Sequence, residues 1–507
     1  MKRLYFMILL ATTTSCGKFL DDYSQDLVIP KSVQDFDELL LGNGYLPNKE
    51  VSDLRNGGLM WWTLILDDDI NTVMEQVAVR SFDMDKHYYG YTTWQLEIGR
   101  SFSGADLRPD HQTWEELYQR VNAMNIILTE IDQVSQEKEA DRLAANRIKG
   151  EALFLRAQFY FALVNLYGPM YAPKSAESTL GVPIKLTSYV EHDNQKEAQF
   201  KRASVEVVYG QIVKDLKQSI AYLSHVKQAK KHRVSDVVAQ LLLSRVYLYM
   251  QNWEQAAALS REVIQTHGLL HAYSGIGEVD AVITVDNPEI LFAQGPLNQQ
   301  NAITARGGDF CISNDLYSSY ADDDYRKELY FRREAFTDSI AINRKFKQGL
   351  QISAVSDLFL YRTAEAYLNQ AEALAMLGKT NEAQALLNRF RSYRMQNIPS
   401  ESGNAEALVH SIREERRKEF CLEGHRWFDL RRYAVDEKYP FKKEIVRSYA
   451  VYDWDNKNRP IRRELYKLNQ DDAAYTFSIP KSVLEFDRTI PDNPREIRKA
   501  IEEIPYN

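Results

Sequence analysis

The chain has 507 residues, 44% hydrophobic and 26% charged, enough to bury a large core in one or two domains. Its formal net charge of −8 makes it a poor nucleic-acid binder, since phosphate backbones are held by basic surfaces. Beyond the first short apolar run, no stretch is long enough to cross a bilayer as a helix.

The N-terminus reads as a processing segment. Lys2 and Arg3 precede the apolar run Leu4–Leu10, and small or polar residues lead to Thr13-Thr14-Ser15-Cys16. That ending resembles a lipoprotein cleavage site, with Thr13 where Leu is usual. Residues 1–15 are therefore expected to be a signal peptide and Cys16 the lipidated residue, its thiol forming a stable thioether to diacylglycerol. Several acyl chains anchor firmly where one does not. Loss of Lys2 and Arg3 moves the formal charge from −8 to −10. Residues 16–30, with Asp21, Asp22 and Asp26, read as an acidic tether.

Phe36–Leu41 starts a helix that Gly42 and Gly44 end. Residues 54–104 read as mixed helix and loop rich in rings: Trp61, Trp62, Tyr88, Tyr89, Tyr91 and Trp94. Asp67, Asp68 and Asp69 read as a solvated or capping run, because three adjacent acids on a regular element cannot all face one ion. A helical body begins at Thr113, where Trp114, Leu117, Tyr118, Val121, Met124, Ile127, Leu128 and Ile131 mark one face. A second helix, Ile148–Tyr167, stops at Gly168-Pro169, and Ser178–Asn194 is a loop. Ser204 caps a third, with Val207, Ile212, Leu216, Ile220 and Leu223 predicted inward.

Residues 234–267 and 364–390 each read as an antiparallel helical hairpin of tetratricopeptide type. Small Ala256 in one and Ala371 and Ala383 in the other permit close approach. Between them, residues 268–351 are a glycine-punctuated insertion with strand-like pieces at Ala281–Val285 and Glu289–Ala293. Long insertions of this kind usually carry function. Ile412–Tyr433 is dense in paired charges and rings, and Gly424 suits a left-handed helix end. Residues 434–507 read as loop, with a short strand at Tyr475–Pro480.

The familiar enzyme motifs are missing: no G-x-S-x-G, G-x-G-x-x-G, P-loop or H-E-x-x-H occurs. His267 and His271 have helical ligand spacing, but Gly268 is expected to end the helix between them, so no metal site is predicted. Cys311 and Cys421 are expected to stay unpaired. Glu415, Glu419 and Glu423 are crowded by Arg416, Arg417, Lys418 and Arg426. Such carboxylates are held ionised, which favours an ion-pair lock over acid–base catalysis. Ligand recognition instead points to rings and polar groups in loops: Tyr88, Tyr89 and Trp94 in one segment, Arg306, Asn314, Tyr317 and Tyr320 in the other. Flat rings stack on sugar faces or peptide side chains, and nearby amides orient hydroxyls.

The residues Glu415-Arg416, Glu419-Phe420, Glu423-Gly424, Arg426, Phe428-Asp429-Leu430 and Arg432 resemble the E-R-x-x-E-F-x-x-E-G-x-R-x-F-D-L-x-R signature of SusD/RagB-type outer-membrane lipoproteins. The stretch from Trp114, the run ending Tyr167-Gly168-Pro169 and Ser478-Ile479-Pro480 are similar to further family segments, with Ser478 standing where the family has Pro. The resemblance implies a mainly α fold: one SusD-like domain over 31–507, whose tetratricopeptide-like scaffold lies mainly at 113–267 and 353–433. A loop-rich irregular half with a few short strands falls at 54–104, 268–351 and 434–507. It also implies a lipid-anchored outer-membrane protein, facing the cell exterior and attached to the membrane through its lipid only. Such a protein binds a glycan or peptide without cofactor or catalysis and delivers it to a SusC-like TonB-dependent transporter. Two rivals stand beside this: a glycoside hydrolase using paired carboxylates, and a tetratricopeptide scaffold that binds only proteins.

Overall fold

Small residues where helices meet, and branched ones around them, set the architecture. A computed structural model of the chain describes residues 30–47, 59–72, 88–104, 109–188, 200–228, 230–279, 281–295, 310–335, 338–347, 355–400, 403–453 and 460–506. Cys16, the expected tether up to residue 29 and Arg306 lie outside the described residues.

Helix α1 (Val33–Leu39) opens on a capping box between Ser32 and Asp35. The scaffold follows as α2 (Pro109–Glu130), α3 (Glu139–Tyr167), α4 (Val205–Leu223), α5 (Asp236–Tyr249) and α6 (Trp253–His267). Helix α3 is buried on all sides over its last five turns, as a run such as ALFLRAQFYFALVNLY demands. At Gly150 it presses on α4 so closely that a Cβ there would lie 2.7 Å from Leu223 Cγ. Ser204 caps α4 as expected, its Oγ accepting from Val207 N at 3.3 Å. Val207 itself, however, points outward and is 55% exposed, because Val205 and Val208 of the same turn take the buried face of α4.

Two short helices, α7 (Asn314–Ser318) and α8 (Tyr325–Tyr330), lie in the insertion. The scaffold resumes with α9 (Thr363–Met376), α10 (Thr380–Arg391), α11 (Ala405–Phe420) and α12 (Arg426–Ala434), and α13 (Lys481–Phe486) comes near the end. The hairpin α5/α6 turns at Gln251 (φ 59°), and α9/α10 turns at Gly378 (φ 77°). Although the two hairpins are far apart in sequence, α6 packs directly on α9. The helical layer is thus continuous, and the insertion leaves it and returns at one place.

The strands are β1 (Ile70–Thr72), β2 (Leu180–Pro183), β3 (Arg202–Ser204), β4 (Ile290–Gln294), β5 (Phe310–Ile312), β6 (Phe331–Arg333), β7 (Ile340–Ile342), β8 (Phe359–Arg362), β9 (Ile445–Tyr452), β10 (Pro460–Leu468) and β11 (Glu502–Pro505). They form a four-stranded antiparallel sheet in the order β1-β5-β7-β6, a three-stranded sheet β11-β10-β9, and the pairs β2-β3 and β4-β8.

The end of the chain departs most from expectation. Residues 434–507 hold the two longest strands, β9 and β10, paired antiparallel, rather than loop. Ala281–Val285 forms no strand. Tyr475–Pro480 forms none either; Tyr475 closes a 3₁₀ turn and the residues after it lie outside any strand, Phe477 N donating to Leu166 O. His267 is the last residue of α6 and Gly268 ends it, as expected. Cys311 and Cys421 are both free thiols.

Candidate functional site

The signature helices carry paired charge rather than an open catalytic centre. Glu419 is buried and accepts from three arginines: Arg326 Nη1 at 3.1 Å, Arg362 Nη1 at 2.8 Å, and Arg394 Nε at 2.9 Å. Glu415 takes Arg326 and Arg391, and Glu423 takes Arg362 and Lys345. Burial alone would raise the Glu415 and Glu419 carboxyls. The arginines outweigh it and hold both well below the usual carboxylate range. A group held this firmly as an anion cannot serve as a general acid near neutrality.

The other half of the signature ties neighbouring elements together. Arg416 donates to Asp429 at 2.8 Å and to Asn369 on α9, and Arg432 bridges Asp429 and Glu372. Phe420 lies beneath the Arg362 and Arg416 guanidiniums at 4.9 and 5.1 Å. Phe428 and Leu430 are buried in the core. Gly424 has φ 73°, and a Cβ on it would lie 2.6 Å from Leu358 Cδ2, so the turn between α11 and α12 requires glycine.

The aspartate run overturns the expectation of a solvated stretch. Asp67, Asp68 and Asp69 are all buried, with one oxygen of each within 4.8 Å of the others. Arg417 donates to Asp69 at 2.7 Å, and Arg426 grips Asp68 at 2.7 and 2.9 Å. Lys443 adds a contact to Asp68 at 2.6 Å. The signature and the segment after it supply cations to Asp68 and Asp69, whereas the Asp67 carboxyl has no ion pair among the described residues and is pushed well above the usual carboxylate range by burial and by the two neighbouring aspartates. The run is therefore the loop half's socket for α11 and α12.

The two ring-bearing segments come together at one point. β1 pairs with β5, and the Tyr88 ring lies 5.5 Å from Phe310. Their rings differ in what they offer. Tyr88 is buried against Trp61 and Phe310. Trp94 is buried with its indole N–H donating to Leu66 O at 2.9 Å and Arg447 over its ring at 5.0 Å. Tyr320 is buried and donates to Lys418 O at 2.7 Å. These three present no open face. Tyr89 and Tyr317 are half-buried and Asn314 is exposed at the start of α7. Lys327 and Arg333 each lie 5.3 Å from the Tyr317 ring centre.

Phe102, which the sequence reading passed over, completes the patch. It is 39% exposed, stacks on the buried Tyr449 at 5.6 Å, and meets Tyr89 edge-on at 5.1 Å. Polar groups border it: Tyr89 and Tyr466 share a hydroxyl contact at 3.0 Å, Gln95 Nε2 donates to Tyr89 at 3.1 Å, and Tyr466 donates to Glu464 at 2.7 Å. The only cue in the sequence was an aromatic in a Ser/Gly-rich loop outside any period. Elsewhere, an apolar groove of about 850 Å³ runs between α2 and α13, lined by Trp114, Tyr118 and the exposed Phe486; none of the predicted ligand residues borders it.

Comparison with known proteins agrees with this architecture. A family model described as starch-binding and associating with the outer membrane matches residues 66–248, and the SusD family model matches residues 342–495. No curated protein sequence matches the chain. Among solved structures, a SusD-like carbohydrate-binding protein from Bacteroides vulgatus is 20% identical, with TM-score 0.69 over 92% of this chain and 99% of that one. A putative sugar-binding protein from the same organism is 24% identical, with TM-score 0.68 over 92% and 99%. A SusD superfamily protein from Bacteroides thetaiotaomicron is 21% identical, with TM-score 0.68 over 92% and 100%. The two family matches, the signature and a fold shared over nearly the full length lead to one conclusion: this chain belongs to the SusD/RagB family.

Proposed function

We propose that the protein is a non-catalytic, lipid-anchored nutrient-binding protein of the outer-membrane surface. It captures a glycan and delivers it to a SusC-like TonB-dependent transporter. The family's description as starch-binding and outer-membrane-associated favours a glycan over a peptide.

The observation that carries the reading is the Phe102 patch. Phe102 is fixed from beneath by Tyr449 and open above, which is what a sugar-stacking platform requires. The half-buried Tyr89 hydroxyl and Gln95 amide border it and are suited to orienting sugar hydroxyls, while the buried Tyr466 and Glu464 hold Tyr89 from behind. Asn314 and Tyr317 offer a second edge on the adjoining segment. Anchoring falls to Cys16.

Calorimetry against a panel of oligosaccharides and peptides tests this. The parent binds an oligosaccharide, and Phe102→Ala weakens that binding by about 1–3 kcal/mol with an unchanged melting temperature. A variant that binds as tightly as the parent removes the platform from the site, and a parent that binds only peptides overturns the glycan assignment. Turnover of any panel glycan would overturn the non-catalytic reading.

A further inference from the structure

The polar edge of the Phe102 patch has a fixed hydrogen-bond direction. It starts at Glu464, which is buried and whose charge is balanced by Arg462 at 2.5 Å. A carboxylate paired with an arginine only accepts, so the single proton of Tyr466 goes to Glu464 Oε2 at 2.7 Å. Tyr466 can then meet Tyr89, 3.0 Å away, only as an acceptor, and Tyr89 spends its own proton there. The Tyr89 oxygen in turn accepts from Gln95 Nε2 at 3.1 Å.

The same logic orients Gln95. Its Nε2 also donates to Thr93 Oγ1 at 3.2 Å, and Thr93 sends its own proton to the Tyr89 carbonyl. Turned over, the amide would set its oxygen against two oxygens with no proton to offer. Both amide protons are therefore spent. Gln95 Oε1, which makes no hydrogen bond among the described residues, is left as an acceptor.

We infer, resting on the platform reading above, that this edge selects ligands by their donors: it takes sugars with free hydroxyl or amino groups beside the stacked face and rejects those carrying a carboxylate or sulfate there. Tyr89 and Gln95 Oε1 both accept, and neither supplies the proton that an anion needs. An anion set against them meets oxygen with oxygen, and the water it gives up is not replaced. The other groups near Phe102 do not reverse this preference. Arg100, two residues before it, is paired with Glu97 at 2.5 Å, so the two bring no net charge. The Ser101 and Ser103 hydroxyls, 3.1 Å apart, can turn either way. Tyr466 and Glu464 are positioning residues: both are buried, and they act by deciding where Tyr89 points its proton.

Titration calorimetry of the parent protein with malto-, cello-, galacto- and mannohexaose, each beside its counterpart oxidised at C6 to the uronate, tests the edge. Each neutral hexaose that binds is expected to bind about tenfold or more tightly than its oxidised counterpart. Tyr466→Phe leaves Tyr89 with a proton to donate, so in the folded variant the gap narrows to about threefold or less. A merely structural role for Tyr466 would weaken both forms alike, and that unchanged ratio overturns the inference. Oxidised hexaoses that match or exceed their neutral partners in the parent overturn it whatever the variant does. If Phe102→Ala then abolishes the binding of both forms, the platform stands and only its acceptor edge falls. A parent that binds neither form of any hexaose overturns the platform reading, and this inference with it.

Discussion

Replacing Glu419 by glutamine tests whether the signature is a lock or a catalytic centre. The substitution keeps shape and removes charge. In the parent, four N–H donors from Arg326, Arg362 and Arg394 converge on the two carboxylate oxygens at 2.8–3.1 Å, and the side chain is fully buried. Glutamine keeps one oxygen but turns an NH₂ toward the donors on the other side. Two charged hydrogen bonds are lost, and three buried arginines share one anion fewer. Breaking a buried pair in this way costs about 3–5 kcal/mol. For a cooperative unit of this size, unfolding entropy near 2 cal/mol/K per residue makes that a fall of roughly 3–5 °C in melting temperature.

The sign of the pH dependence follows from the depressed carboxyl. Its folded-state pKa lies well below the ordinary 4.5, so its contribution is complete above that value and is lost as pH falls toward the folded-state pKa. Calorimetric melts of parent and Glu419→Gln should therefore differ by a constant amount between about pH 6 and 8 and converge below about pH 4.5. Glycan affinity at 20 °C or so should not change. A normal melting temperature combined with lost binding or lost turnover would refute the structural role.

Other perturbations separate core from surface. Gly424→Ala forces a Cβ onto a backbone at φ 73° and against Leu358, and should cost about 1–2 kcal/mol in thermal melts, where an unchanged midpoint would contradict the tight turn. Trp94→Ala should destabilise by about 3–5 kcal/mol, since it empties a core position and orphans the Leu66 carbonyl; a stable variant with weakened ligand binding would return Trp94 to the site. Cys16→Ala should move the protein from the detergent phase to the aqueous phase, and unchanged partitioning would rule out lipidation at that residue.

The helical scaffold was legible because its rules are local. Ser204, Ala256 and the ring-and-branch periods each act within a few residues, and the structure places caps and faces accordingly, Val207 excepted. The signature was legible as ion pairs because its charges crowd one stretch. What stayed hidden depends on distant partners. The burial of Asp67–Asp69 is decided by Arg417 and Arg426, some 350 residues onward. Strand β9 was masked by Arg447, which breaks the inward apolar alternation of Ile445, Tyr449 and Val451, yet is buried and donates to the carbonyls of Ile65, Asp67 and Ile70. Tyr88, Trp94 and Tyr320 follow no period, so nothing in their spacing told core from platform.

The meeting of α6 and α9 has a consequence for how such a protein changes over time. The long insertion departs at Gly268 and re-enters at Thr363. Its two ends are stitched together: Thr363 Oγ1 donates to His267 O at 3.0 Å, and the Tyr367 hydroxyl donates to Gly268 O at 2.9 Å. A loop whose ends are already joined gains length cheaply, at about 0.6 kcal/mol for each doubling. The insertion is thus a cassette with a fixed clasp. Its outer turns can be exchanged for those of another chain, provided the graft still returns Glu289 to Arg394, and Arg326, Lys345 and Arg362 to the signature carboxylates.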